Sequence, residues 1–389
     1  EKAGRSSEEN GNGMEFVATC LFGLEKFVGE EIDRLGLSRI STIDGRVTFR
    51  GEPKDICRLN LNLRCAERIF ILVGSFSTDT PNPFESLFEG TKSLPFEEYI
   101  GANDTFTVNG HSVKSRLTSI PACQGVVQKA IAARLASKYG KSWFDGDGCR
   151  YAVEFFLLNN EATLMIDTSG VALHKRGYRP ESNAAPLRET LAAALCKLAR
   201  PREDVLFWDP MCGSGTIPIE AALLMTDTAP GLRRSFASEK FPFLPKEYWK
   251  EARGEAIGRI KTDVNFESYA SDIDPKCVEL TRENIYRAGM GKYIKAFERD
   301  ALKITTGGRR GTVVCNPPYG ERLLSQEECA ELYKKMGSHF SALDSWQIYI
   351  LSAREDFERL YGRKADKVRK LYNGMIRCGF YQYFKRKNG

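Results

Sequence analysis

The sequence predicts an α/β protein: a doubly wound, mostly parallel sheet in the C-terminal half, preceded by a smaller α+β region. Three observations point there. From about Gly170 apolar strand-like runs alternate with long helical patterns, the arrangement that builds a parallel sheet. One run, Val205-Leu206-Phe207-Trp208, passes straight into Asp209-Pro210-Met211-Cys212-Gly213-Ser214-Gly215-Thr216 and then an apolar helix, a glycine-rich strand-turn-helix. Before Gly170 the segments are short and mixed, as in an auxiliary domain.

The 389 residues exceed one ordinary domain. Residues 1–13 precede Met14, are polar and Gly/Ser/Asn-containing, and are expected to be a disordered lead or an expression remnant. Residues 14–64 read as a first small unit, with strand Phe16–Cys20, helix Leu24–Leu35 and strand Gly45–Phe49. Residues 65–168 form a second, with strands Ile69–Val73 and Thr105–Val108 and an amphipathic helix Val126–Tyr139. A hairpin, Tyr151–Leu157 and Thr163–Ile166, turns at Asn159-Asn160. Residues 169–389 hold helix Pro186–Leu198, strand 205–208, helix Ile217–Leu224, strand Tyr269–Asp272, helix Val278–Ala288, and strands Val313–Cys315 and Trp346–Leu351. Residues 227–266 form an insertion with three prolines and several aromatics that is expected to border the substrate cleft. The alternating aromatics of Gly379–Phe384 predict a final core strand.

Composition narrows the function. Hydrophobic content of 42% and charged content of 28% describe a globular protein, and no apolar run reaches membrane-spanning length. Eleven cysteines without a Cys-x-x-Cys pair, and only three histidines, argue against a zinc site and a disulfide framework, so no metal is expected and a cytoplasmic setting fits. The formal charge of +6 is uneven: residues 359–389 carry ten Lys/Arg against Asp366 alone. Such a tail suits phosphates, or equally a solvated surface of helix and strand edges.

The glycine turn admits three readings. A dinucleotide fingerprint wants glycine where Pro218 stands, and a phosphate-binding P-loop wants a Lys that is missing. The third is a cradle for the methionine portion of S-adenosylmethionine, with Asp209 at the amino end or loop backbone. Asp272 ends the next strand, where an acid meets ribose hydroxyls. Asp274 is placed to cap the helix starting near Pro275, and Asp300 to meet an adenine amine. The predicted cofactor site comprises Asp209, Cys212, Gly213, Ser214, Gly215, Thr216, Asp272, Ile273, Asp300, Ala301 and Asn316.

After the apolar run Thr312–Cys315 comes Asn316-Pro317-Pro318-Tyr319. This suits methyl transfer to a planar NH2, whose delocalised lone pair is a poor nucleophile. The Asn316 side-chain oxygen and the Pro317 carbonyl can accept its hydrogens and favour the charge that develops on it. Paired prolines stiffen the loop and remove competing donors. Tyr319 offers a stacking face for an extruded base, with Pro318 beside it. Asn316, Pro317 and Tyr319 are the predicted catalytic residues.

These motifs resemble the class I methyltransferases, and more narrowly the THUMP-containing RNA methyltransferases, closest in look to the bacterial 23S rRNA guanine 2-amino methyltransferase family. Leu173-His174-Lys175-Arg176-Gly177-Tyr178-Arg179, then Ala185–Leu191, is similar to the segment before that family's cofactor loop, and Asn316–Leu323 to its catalytic loop. Ser112-Val113-Lys114-Ser115 with the 126–135 helix looks like a THUMP domain. The resemblance implies a Rossmann-like methyltransferase domain over 169–389, a ferredoxin-like part over 14–64 and a THUMP domain over 65–168. It also implies S-adenosylmethionine as cofactor, large-subunit rRNA as partner, and Arg179 and Lys114 as RNA-binding residues. Some bacterial members carry a second methyltransferase domain that this sequence lacks, so a second modification is not expected. His174-Lys175-Arg176 and Arg179 admit two readings, an RNA- or cofactor-facing cluster or a linker held by ion pairs. Arg188 and Glu189 read either as ordinary first-turn helix residues or, on the resemblance, as neighbours of the cofactor pocket. Asn-Pro-Pro-Tyr serves equally for the 6-amino group of adenine or a protein glutamine. A non-catalytic RNA-binding or ribosome-assembly factor is a competing class, opposed by the intact Asp209, Gly213, Gly215, Asp272 and Asn316.

Overall fold

The computed structural model describes residues 13–141, 146–180, 187–321 and 323–384. The expected lead before Gly13, Ala185 and Pro186, Arg322 and the terminal Lys385–Lys387 lie outside the described residues.

Two seven-stranded sheets organise the described residues. In the first, β1 (Met14–Thr19) lies antiparallel between β3 (Arg46–Gly51) and β4 (Arg68–Ser77). An edge strand, β2 (Ser38–Ile43), flanks β3. On the other side β4 continues to β7 (Glu161–Asp167), β6 (Arg150–Leu158) and β5 (Thr105–Val113). The predicted hairpin is present: β6 and β7 join at Asn159 and Asn160, whose φ values of 49° and 65° are those of a type I′ turn. Helices α1 (Glu25–Arg34), α2 (Asp55–Asn62), α3 (Pro83–Lys92) and α4 (Ile120–Tyr139) accompany this sheet. α4 begins six residues before the predicted start, because Ser119 caps it through the Ala122 N–H and Pro121 fits its first turn. β2 escapes sequence reading because all six of its residues are exposed and leave no alternating apolar signal.

The second sheet runs β10-β9-β8-β11-β12-β14-β13. Its strands are β8 (Leu206–Asp209), β9 (Ser268–Asp272), β10 (Ile294–Glu298), β11 (Gly311–Cys315), β12 (Gln347–Ser352), β13 (Lys367–Asn373) and β14 (Ile376–Tyr383). The first five in spatial order are parallel, and β14 is antiparallel to both neighbours. β8 and β11 are buried throughout, as central strands covered on both faces must be. The covering helices are α5 (Glu189–Ala199), α6 (Thr216–Met225), α8 (Pro275–Ala288), α9 (Gln326–Ser341) and α10 (Phe357–Tyr361). Chain order reverses between β8 and β11, the switch point at whose carboxyl side open α/β sheets bind ligands. Phe380, Tyr381 and Tyr383 are buried, so the last strand is core as its alternation predicts.

The insertion corrects one expectation. It contains α7 (Lys246–Gly258) and packs on the N-terminal half instead of bordering the cleft. Gly231 N–H donates to the Leu61 carbonyl at 2.9 Å, Arg259 bonds Asn62, and Phe241 meets Tyr151 with ring centroids 4.7 Å apart. Further bolts join the two sheets: Lys197 pairs with Glu31 at 2.7 Å, and Glu67 accepts from Thr190 at 2.6 Å.

Candidate active site

Four predicted acids or amides arrive along one rim because parallel strands end together. In register, Asp209 sits beside Ala270, and Asp272 beside Glu298; Cys315, the residue before Asn316, sits beside Ile350. Neighbouring strands are about 4.8 Å apart, so Asp209 and Asn316, ending adjacent strands, face one crevice.

The loop after β8 is held from three sides. Asp209 accepts the Met211 N–H at 3.1 Å. Asp272 accepts the Gly213 N–H at 3.0 Å and the Asp274 N–H at 3.0 Å. From α8, Thr281 donates to the Gly213 carbonyl at 2.8 Å, and Asn284 to the Ser214 carbonyl at 2.9 Å. Gly215 has φ of 82°, and a Cβ there would lie 2.7 Å from Thr281 Cγ2, so glycine is required. Burial pushes the Asp209 carboxyl well above its ordinary range, with the Met211 N–H opposing and the negative Asp272 adding to it. Cys212 is buried in this loop, and Ser214 and Thr216 hydroxyls lie 3.2 Å apart at the start of α6.

The rest of the predicted cofactor set lines the same rim. Asp274 caps α8 by accepting the Lys276 N–H at 2.9 Å. Ile273 is 66% exposed, a bare apolar face next to Asp272. Asp300 accepts the Leu302 N–H at 2.9 Å and is drawn to Asp272 by the Arg299 N–H, which donates to the Asp272 carbonyl at 2.9 Å. Ala301 is buried behind it.

The loop after β11 discriminates between its carbonyls. Pro318's accepts from Tyr333 at 2.7 Å and from the Cys329 thiol at 3.1 Å, which anchors the loop. Pro317's has no hydrogen-bond partner among the described residues. The Tyr319 hydroxyl donates to Asn316 Oδ1, so in this state the tyrosine occupies the amide acceptor. Burial, with Cys378 next to it, raises the Tyr319 hydroxyl well above its usual range, keeping it a donor.

The segment before the loop is an ion-paired linker. Arg176 and Glu220 pair at 2.7 Å with side-chain exposures of 2% and 1%, and Tyr178 donates to the other Glu220 oxygen at 2.9 Å. Burial opposes the charge on Arg176, but Glu220 outweighs it and holds the guanidinium above its ordinary value. Arg179 pairs with Glu189 at 3.0 Å and donates to Thr216 at 2.8 Å and the Leu187 carbonyl at 2.9 Å. This placement favours anchoring of the cofactor loop over phosphate contact. His174 meets Glu67 at 2.7 Å; Lys175 is exposed. Lys114 is exposed too, but at the end of β5, the outermost strand of the other sheet.

Thr281 and Asn284 are not among the predicted site residues, whereas Glu189 is expected near the cofactor pocket on the resemblance alone. Thr281 and Asn284 stand at i and i+3 on α8, a spacing too common to single out. Glu189 is tied to the loop through Arg179, which also bonds Thr216, and its second carboxylate oxygen is buried without a partner among the described residues. An orphaned acceptor, two rim carboxylates, the free N–H groups of a helix start and an exposed isoleucine suit an adenosine with a charged amino-acid tail.

Comparisons with known proteins agree. The model of the RMKL-like methyltransferase domain matches residues 176–382, that of the RlmL ferredoxin-like domain residues 15–70, and that of the THUMP domain residues 82–167. YpsC of Bacillus subtilis (strain 168), named provisionally as an RNA methyltransferase, is 43% identical over 372 residues, covering 95% of this chain and 96% of its own. Ribosomal RNA large subunit methyltransferase K/L of Syntrophotalea carbinolica is 31% identical over 390 residues, covering 94% of this chain but 53% of its own. The chain thus spans about half the length of that relative. The solved structure of SMU.472, a methyltransferase candidate complexed with SAH, superposes with a TM-score of 0.91 at 38% identity, covering 97% of this chain and 99% of that one.

Proposed function

The chain belongs to the RMKL-like methyltransferases that carry ferredoxin-like and THUMP domains, and from that membership we propose that it methylates the exocyclic 2-amino group of a guanine in large-subunit ribosomal RNA. It is an S-adenosylmethionine-dependent methyltransferase. RNA as the acceptor is supported by the THUMP match and by the names of YpsC and the K/L protein; guanine rests on the resemblance to the K/L relatives. No helix among the described residues is long and apolar enough to cross a membrane. A ribosomal RNA substrate would put the protein in the cytoplasm.

The observation that carries the chemistry is the Pro317 carbonyl beside Asn316, without a hydrogen-bond partner among the described residues, at the end of the strand adjacent to Asp209. The cofactor supplies an electrophilic methyl on a positively charged sulfur. We assign Asp209, with the Glu189 oxygen unpartnered among the described residues, to its amino-acid end, and Cys212 to Thr216 to the backbone cradle. We assign Asp272 to the ribose, and Ile273, Asp300 and Ala301 to adenine. The target amine gives one hydrogen to Asn316 Oδ1 and the other to the Pro317 carbonyl, which aims its lone pair at the methyl and stabilises its growing positive charge. Tyr319 must first release Asn316, and its ring, with Pro318, then stacks the extruded base. The surplus proton leaves to solvent after transfer. The test is nucleoside mass spectrometry of 23S rRNA incubated with purified protein and labelled cofactor. N2-methylguanosine at one mapped position is expected. N6-methyladenosine would replace guanine with adenine, and unmodified RNA would sink the proposal.

A further inference from the structure

The β13–β14 hairpin overhangs the catalytic rim. β14 pairs with β12 only as far as Gly379 opposite Ser352, yet it continues back through Cys378, Arg377 and Ile376. At about 3.4 Å per residue those three carry the stem roughly 10 Å beyond the sheet's end, on the side where β11 delivers Asn316. The tip is a two-residue turn: Gly374 has φ of 64° and Met375 follows, a II′ pattern that holds the side chain outward. Met375 is 89% exposed. The catalytic loop leans on this stem, with the Tyr319 hydroxyl 4.0 Å from Cys378 Sγ.

Charge on the hairpin has one sign. Lys370 and Arg377 have no carboxylate partner among the described residues, and Lys370 Nζ lies 5.5 Å from the centre of the Tyr372 ring. Tyr372 in turn meets the half-exposed Phe22 of the N-terminal domain edge-on at 6.0 Å. Cations next to aromatic faces, with an unpaired apolar tip, match a nucleic-acid strand better than a protein surface.

We propose that this hairpin positions the RNA strand bearing the target base. Met375 wedges into the stack vacated beside the extruded base, while Lys370 and Arg377 take flanking phosphates. Apolar side chains driven between bases are an established way of holding a helix open. The proposal rests on RNA being the acceptor and adds the element that opens it.

The full-length protein with the photo-crosslinking residue p-benzoylphenylalanine at position 375 is irradiated with deproteinised 23S rRNA, and the adduct is mapped by primer extension. Adducts within two nucleotides of the base that the wild-type protein methylates are expected. In parallel, Met375→Ala should bind SAH like wild type, lose at least tenfold in kcat/KM on folded rRNA, and recover on a short RNA presenting the same base unpaired. Adducts elsewhere, no adduct, or full activity of Met375→Ala on folded rRNA would overturn the hairpin's role alone. A wild-type protein that methylates no RNA overturns the functional reading and this one with it.

Discussion

Gly215→Ala tests whether the cofactor loop is built as the structure shows. The residue has φ of 82°, and an added Cβ would sit 2.7 Å from Thr281 Cγ2 and 3.2 Å from Thr281 Oγ1. Holding alanine in the left-handed region costs about 1–2 kcal/mol, and overpacking a tight contact adds about 1–3 kcal/mol. The total, about 2–5 kcal/mol, divides between lost fold stability and lost cofactor affinity. At 1.4 kcal/mol per decade, the second share alone can weaken binding by one to three orders of magnitude. Urea unfolding and calorimetric titration with SAH measure the two shares. Thr281→Ser separates the causes: serine keeps the hydrogen bond to the Gly213 carbonyl, 2.8 Å in the parent, but removes Cγ2. Gly215→Ala in that background should regain the steric share and retain the conformational one. A Gly215→Ala protein that unfolds at the parent urea concentration and binds SAH within twofold of it would refute this account of the loop.

Other expectations are equally concrete. Glu220→Gln strands the buried Arg176 charge and should cost about 3–5 kcal/mol in urea unfolding, because both side chains are almost fully enclosed. Tyr319→Phe frees Asn316 Oδ1 yet keeps a ring, so kcat/KM on RNA should hold or rise. Tyr319→Ala should lose about 5- to 150-fold, the worth of one base–aromatic stack of about 1–3 kcal/mol. For pH, the folded-state carboxyl of Asp209 lies above its unfolded value near 3.8. Its neutral form is the better tolerated, so the stability it contributes is complete below the unfolded value and declines as pH climbs to the raised folded one. Ligand-free protein should therefore weaken as pH rises above about 4, and Asp209→Asn should flatten that slope, as urea midpoints across the range would show.

The sequence exposes what is periodic or strained and hides what is merely adjacent. β8 and β11 announce themselves as unbroken apolar runs, and the Gly213–Gly215 turn announces itself because its conformation admits few other residues. Asn159-Asn160 reveals the hairpin for the same reason. β2, wholly exposed, offers no pattern to read. The insertion's prolines and aromatics look like cleft material until Phe241 is found against Tyr151. Arg179 could not be sorted between phosphate and anchor, since nothing local says that Glu189, ten residues on, pairs with it. Nor could Tyr319 be foreseen to close on Asn316, because that depends on the rotamer the hairpin behind it allows.

The most direct measurement is transfer of labelled methyl to 23S rRNA by Asn316→Ala, with SAH affinity determined on the same preparation. Losing one preorganised acceptor should lower kcat by about 100- to 1,000-fold and leave SAH binding within a few-fold of the parent. Wild-type turnover in that variant would contradict the amide-and-carbonyl grip on the target amine.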